Sequence, residues 1–247
     1  MKEKMPLIEA TPVPASPSES AHGSPVLIAA ATRWEAAPLR RALALIPDGP
    51  DRWSGRIAGR PVILLRTGMG GACAAAALSR TEPVEPALVL STGFAGALRE
   101  DLQSGDLVAE ELTPCPQTAK ALRWALARLG RVANFGHIAD SSGVVCDPEE
   151  KLVLGRRTGA LAVDMESAAI RVWAQARGLP ALALRVVLDE AGFALPAVPP
   201  PAEGALALTA YIALHPWYWP RLARLGLRQR RAAANLVASL PALLEAI

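Results

Sequence analysis

Within the 247 residues, the segment Val163-Asp164-Met165-Glu166-Ser167 sets two carboxylates and a thioether at the entrance of a helical stretch. Carboxylates at that position can be held by the positive end of the helix dipole. The plainer alternative is that Asp164 or Ser167 caps the helix. A second segment, Arg185-Val186-Val187-Leu188-Asp189, closes an apolar run with an acid, for which a salt-bridged strand end is the plainer alternative. A third acid, Glu35, follows the first apolar run. If the runs are neighbouring strands, three carboxylates meet in one crevice, which structure alone does not require.

Two glycine-rich stretches accompany them. Gly68-Met69-Gly70-Gly71 follows a strand-like run and opens an alanine-rich helix, where bare N–H groups can approach an anion or a sugar closely. Thr92-Gly93-Phe94-Ala95-Gly96 ends another apolar run. Either can equally be a tight turn. Neither has the GxGxxG spacing of a dinucleotide site, which argues against a dinucleotide-dependent oxidoreductase. His22, His137 and His215 have no second ligand at matching spacing, so no metal is expected. Cys73, Cys115 and Cys146 lie far apart without a CxxC pair, which fits free thiols in a reducing cytoplasm.

The elements that must carry these residues alternate. Val26–Ala31, Pro61–Arg66, Ala87–Ser91 and Ala181–Leu188 read as buried strands, and Gly105-Asp106-Leu107-Val108 as a turn feeding another. Glu35–Leu45, Ala72–Leu78, Thr118–Leu129, Pro148–Gly155 and Ser167–Arg177 read as helices. Such alternation predicts an α/β fold, a mostly parallel central sheet flanked by helices, with ligands at the carboxyl ends of the strands. Residues 1–24, rich in proline and serine, read as a disordered leader, residues 25–204 as the catalytic domain, and residues 205–247 as a helical tail. That tail carries the aromatic knot His215-Pro216-Trp217-Tyr218-Trp219, followed by Arg221, Arg224, Arg228, Arg230 and Arg231. Aromatic residues beside arginines suit a segment lying on a membrane surface; the alternative is packing on the core with a solvated arginine face.

Composition bounds the rest. With 26 basic against 23 acidic residues the formal net charge is only +3, so no nucleic-acid partner is expected. No apolar stretch reaches the roughly 18 residues a membrane span requires.

Taken together, GMGG, STGFAG with GDLV, VDMESAA and RVVLDEA stand in the order and approximate spacing of the nucleoside phosphorylase and nucleosidase superfamily, over about residues 25–192. The chain resembles most closely the hopanoid-associated phosphorylases, which act on adenosylhopane, and next the methylthioadenosine/S-adenosylhomocysteine nucleosidases. The narrower likeness rests on VDMESAA, LDEAGFALP and the arginine-rich tail.

The resemblance implies a three-layer domain that breaks the N-glycosidic bond of a 5′-substituted adenine nucleoside and releases adenine. By it, Asp189 would protonate or hydrogen-bond N7 of the base, Glu166 would accept from the ribose hydroxyls, and Glu35 would lie near the nucleophile. Met165 and Asp164, the loop Gly68, Met69 and Gly70, and Thr92, Gly93, Phe94 and Val145 would contact substrate; Arg33 and Arg185 would serve a phosphate or water site. It implies no cofactor, with inorganic phosphate open as co-substrate. It further implies a homo-oligomer with a nucleoside-like small molecule or lipid as partner; for a cytoplasmic protein the tail's composition leaves open peripheral contact to the inner membrane face beside packing on the core.

Some positions depart from the superfamily's pattern. Phe94 stands where relatives often carry serine, Val145 where nucleosidases stack phenylalanine on the base, and Asp164 where glutamate is usual. No arginine precedes the Phe94 loop, which leaves phosphate or water open as nucleophile. Losing such contacts also suits a non-catalytic nucleoside-binding relative, against which Asp189 and Glu166 argue.

Overall fold

The structure is a computed structural model that describes residues 23–81, 85–196, 210, 211, 214 and 219–247. Its centre is four parallel strands: β1 (Val26–Ala30), β4 (Arg60–Arg66), β5 (Leu88–Ala97) and β10 (Ala181–Asp189), in the order β4-β1-β5-β10. These are near-continuous apolar runs because helices cover both faces. Val26, Ile28 and Ala30 of β1 point to one core, and Leu27 and Ala29 to the other.

Helices α1 (Arg33–Ala42) and α3 (Pro116–Arg128) and the C-terminal helix α6 (Trp219–Ala246) cover the first face through Leu39, Leu122, Leu126, Leu236 and Leu240. Helices α2 (Gly71–Ser79) and α5 (Ser167–Ala176) cover the second through Ala77, Leu78, Ile170 and Trp173. Each large apolar side chain so buried contributes roughly 1.5–3 kcal/mol. Helix α4 (Pro148–Thr158) lies at the carboxyl end of the sheet, capped by the Asp147 carboxylate and ended by Gly159 in the left-handed region.

The sheet is parallel in its middle and antiparallel toward its margins. The hairpin of β2 (Ile46–Gly49) and β3 (Arg52–Ile57), which sequence reading did not anticipate, extends β4 antiparallel. Its first strand is wholly exposed and its second only half-buried, so it lacks the apolar alternation that marks a strand. On the other side β6 (Leu107–Glu111) runs antiparallel to β10 and pairs with β7 (Ala133–Phe135). Strands β8 (Ile138–Asp140) and β9 (Ala162–Asp164) join the end of β5. Thr92–Gly96, read from sequence as a strand end, is the body of β5, which continues to Ala97.

Helix α6 is part of the domain's packing. Ala232, Leu236, Leu240, Leu243 and Leu244 are buried, against β10, α3 and α1. Its apolar face is therefore spent on the core, as in the packing alternative. Of the expected tail, 205–209, 212, 213 and 215–218, which include most of the aromatic knot, lie outside the described residues, as do 1–22 of the expected leader. Among the described residues, no helix is long and apolar enough to cross a membrane.

Candidate active site

A cavity of about 290 Å³ opens at the carboxyl ends of the central strands, and Glu35, Asp164, Glu166 and Asp189 all line it. The rest of the wall is mostly apolar, including Trp34, Met69, Phe94, Val145 and Leu188.

Glu35 arrives one turn into α1. Its Oε2 accepts from the Thr32 N–H at 2.7 Å and the Thr32 hydroxyl at 3.0 Å, closing a capping box, while Oε1 accepts from the Phe94 N–H at 2.8 Å. That approach needs a bare Gly93, where a Cβ would stand 2.4 Å from Glu35 Oε1. Burial raises the Glu35 carboxyl above its ordinary range against these bonds and the field of Arg185.

Glu166 is the N-cap residue of α5, but its carboxylate reaches over to the loop before α2, where Oε1 accepts from the Gly70 N–H at 2.6 Å. Burial pushes it up to about 7, opposed by Arg185 and the Gly70 bond and assisted by Asp164 and Glu35.

Asp164 is held at the start of α5 and paired with Arg185. Its Oδ1 accepts from the Ser167 N–H, steadying the start of α5, and its Oδ2 accepts from Arg185 Nε at 2.7 Å. Arg185, 2% exposed, also donates to the hydroxyls of Ser91 at 2.7 Å and Ser167 at 3.1 Å. Its remaining nitrogen Nη1 and the Thr92 hydroxyl are buried with no hydrogen-bond partner among the described residues. Buried donors of this kind are normally satisfied by water or a ligand.

Asp189 ends β10 beside Gly96 and is buried, which raises its carboxyl. Lys151, fully buried in the first turn of α4, donates to Asp189 Oδ2 and to the carbonyls of Phe193 at 2.9 Å and Glu190 at 3.3 Å. Sequence reading did not single out Lys151. Its one signal is that a lysine at the start of a helix opposes the helix dipole, and so asks for a local partner.

Of the other sequence-derived candidates, Met69, Phe94, Val145 and Met165 line the cavity. Thr92 and Gly93 lie behind its wall, Gly68 beside a neighbouring cleft, and Gly70 contributes its N–H to Glu166. Arg33 is not brought in: it is exposed, with its guanidinium over the Trp34 ring. Leu225 and Gln229 of α6 also line the wall, placed there by long-range packing that local sequence does not record. His137 pairs with Glu110 at the surface, the three cysteines are free, and no cluster of described residues could hold a metal ion.

A doubly wound α/β domain with a carboxylate-lined cavity at its strand ends is the class that fold and site define. The sequence profile of the Phosphorylase superfamily matches residues 25–111 and 109–199, and the chain belongs to that superfamily. It is similar to the 5′-methylthioadenosine/S-adenosylhomocysteine nucleosidase of Shewanella oneidensis, 28% identical over 166 residues, which cover 56% of this chain and 70% of the relative. The nucleosidase of the same description from Actinobacillus succinogenes is 26% identical over 166 residues, covering 56% and 71%. Among solved structures, the 5′-methylthioadenosine/S-adenosylhomocysteine nucleosidase of S. pneumoniae, with a transition-state inhibitor, superposes with a TM-score of 0.66 at 22% identity, covering 90% of this chain and 99% of that one. The futalosine hydrolase of Helicobacter pylori gives 0.64 at 20% identity, covering 88% and 97%. These superpositions establish the shared fold.

Proposed function

We propose that this protein is a nucleosidase: it hydrolyses the N-glycosidic bond of a 5′-substituted adenine nucleoside and releases adenine. The observation that carries the reading is the make-up of the cavity wall, which among the described residues presents four carboxylates and neither lysine nor arginine. Such a wall favours a cation-like ribose and a neutral nucleophile, and disfavours a phosphate dianion. The nucleosidase relatives support the same choice.

In this mechanism Glu166 accepts hydrogen bonds from the ribose hydroxyls, and Met165 and Met69 pack on the sugar. Water sits beside Glu35, which lines the cavity. As the bond from C1′ to N9 breaks, its electron pair stays with the purine, whose N7 takes a proton from Asp189. The water oxygen bonds to C1′ and its proton passes to Glu35. General acid help of the kind assigned to Asp189 contributes about 10²–10⁴-fold.

The apolar wall around Leu188, Leu195, Pro196 and Leu225 favours an apolar 5′ substituent. Adenosylhopane, the substrate implied by the sequence resemblance, is the second test substrate. The deciding assay is adenine release from methylthioadenosine, and from adenosylhopane in detergent, each with and without phosphate. Phosphate-independent release with a free ribose product is expected; release that requires phosphate and yields a ribose 1-phosphate would overturn the hydrolytic reading.

A further inference from the structure

Only two residues of α4 are buried, and they share one face a turn apart: Lys151 and Gly155. A Cβ at Gly155 would stand 2.6 Å from the Leu98 carbonyl oxygen, so the glycine is what lets α4 lie directly on the end of β5. Lys151, four residues earlier, is thereby brought under the end of β10. A fully buried ammonium is costly unless all its protons find acceptors. Here they do, in Asp189 Oδ2 and the Glu190 and Phe193 carbonyls.

We propose that Lys151 is the positioning residue for Asp189: its ammonium grips Oδ2 from outside the cavity wall, leaves Oδ1 to meet the purine, and fixes the loop that follows. The proposal rests on Asp189 being the acid of the reaction proposed above. The same ammonium ties down residues 190–193, and the loop continues into Leu195 and Pro196 of the cavity wall. Arg228 of α6 holds this loop from its other side, stacked over the Phe193 ring and paired with the Glu190 carboxylate at 2.9 Å.

The chemistry follows from charge. When Asp189 gives its proton to N7 it returns to a carboxylate beside a fixed cation, so Lys151 stabilises the acid's spent form and makes it a stronger donor. The charged and titratable groups around Asp189 are Lys151 of α4, Arg228 of α6, Glu190 next to it in the chain and Cys146 of the loop before α4. Lys151 is the nearest cation and directly bonded. Without it, Asp189 should hold its proton to higher pH and release it less readily.

The test is the pH profile of adenine release from methylthioadenosine by the full chain, comparing wild type, Lys151→Gln and Lys151→Met. Expected for a folded variant are a fall in kcat of about tenfold or more with KM changed little, and an alkaline limb moved up by about one pH unit. An unmoved limb, or a loss confined to KM, overturns the proposal, and so does failure of both variants to fold, since Lys151 would then be purely structural. Asp189→Asn separates the two layers: full activity in it defeats the acid reading itself, whereas an inactive Asp189→Asn beside an unshifted Lys151→Gln profile defeats only the role of Lys151.

Discussion

The Gly70 N–H and the Glu166 carboxylate, 96 residues apart in sequence, meet at 2.6 Å. The bond joins the N-termini of α2 and α5, for which these two are the N-cap residues. One oxygen of Glu166 is thereby fixed by backbone, and the other is left for a ligand in the cavity it lines. Helix N-termini favour the charged form of such a carboxylate, yet burial wins and its pKa rises to about 7.

A titration near neutrality follows. In the reaction proposed above Glu166 accepts from the ribose hydroxyls, for which it must be ionised, so kcat/KM should fall as pH drops below about 7. In Glu166→Gln this limb should vanish, with kcat/KM reduced about 10²-fold at neutral pH. Persistence of the limb in that variant would assign it to another group.

The same shift has a stability consequence with a definite sign. The folded-state pKa of Glu166 lies above its unfolded value of 4.5, so its contribution is fully present below pH 4.5 and lost as pH rises through about 7. At pH 8 the ligand-free Glu166→Gln variant should therefore be more stable than wild type, by about 1–3 kcal/mol in urea unfolding, and near parity at pH 4.5. Gln also keeps an oxygen to accept from Gly70.

Arg185 and Asp164 form a buried pair with exposures of 2% and 5%. Removing the guanidinium strands a carboxylate in the core, so Arg185→Met should cost about 3–5 kcal/mol. The double variant Arg185→Met, Asp164→Asn should recover a good part of that loss. Strictly additive losses, measured by urea unfolding, would mean that the two side chains do not act as a pair.

Much of this site was legible in the sequence because its acids sit at strand ends and helix starts, which periodicity locates. Glu35, Glu166 and Asp189 each follow an apolar run, and the runs proved to be β1, β9 and β10, all three paired to β5. What was not legible depends on packing across the chain. Lys151 looks like one more surface lysine on a helix bearing Glu149 and Glu150, until Gly155 is seen against the Leu98 carbonyl. Arg33 had the right type and sequence position, but α1 begins there and points it outward over Trp34. The β2–β3 hairpin escaped because an exposed edge strand needs no apolar face.

Gly93→Ala tests the floor under Glu35. A methyl group there meets the Glu35 carboxylate at 2.4 Å and must push it off the Phe94 N–H. Overpacking of this kind costs about 1–3 kcal/mol, and if Glu35 is the base proposed above, its displacement should lower kcat at least tenfold with little change in KM. Wild-type kcat in a folded Gly93→Ala protein would remove Glu35 from the nucleophile site.

Helix α6 should separate selectivity from folding along its length. Leu225 lines the cavity and is half-buried, whereas Ala232, two turns on, is fully buried in the core. Ala232→Asp buries an unpaired carboxylate and should unfold the domain or lower its stability by several kcal/mol. Leu225→Trp instead fills cavity space at a site able to yield, so folding should change by less than about 1 kcal/mol. Its effect should appear in substrate range: across adenosines with methylthio to octylthio groups at the 5′ carbon, kcat/KM should decline at a shorter chain length than in wild type. A parallel profile in the two proteins would place the 5′ group elsewhere in the cavity and leave α6 with a structural role alone.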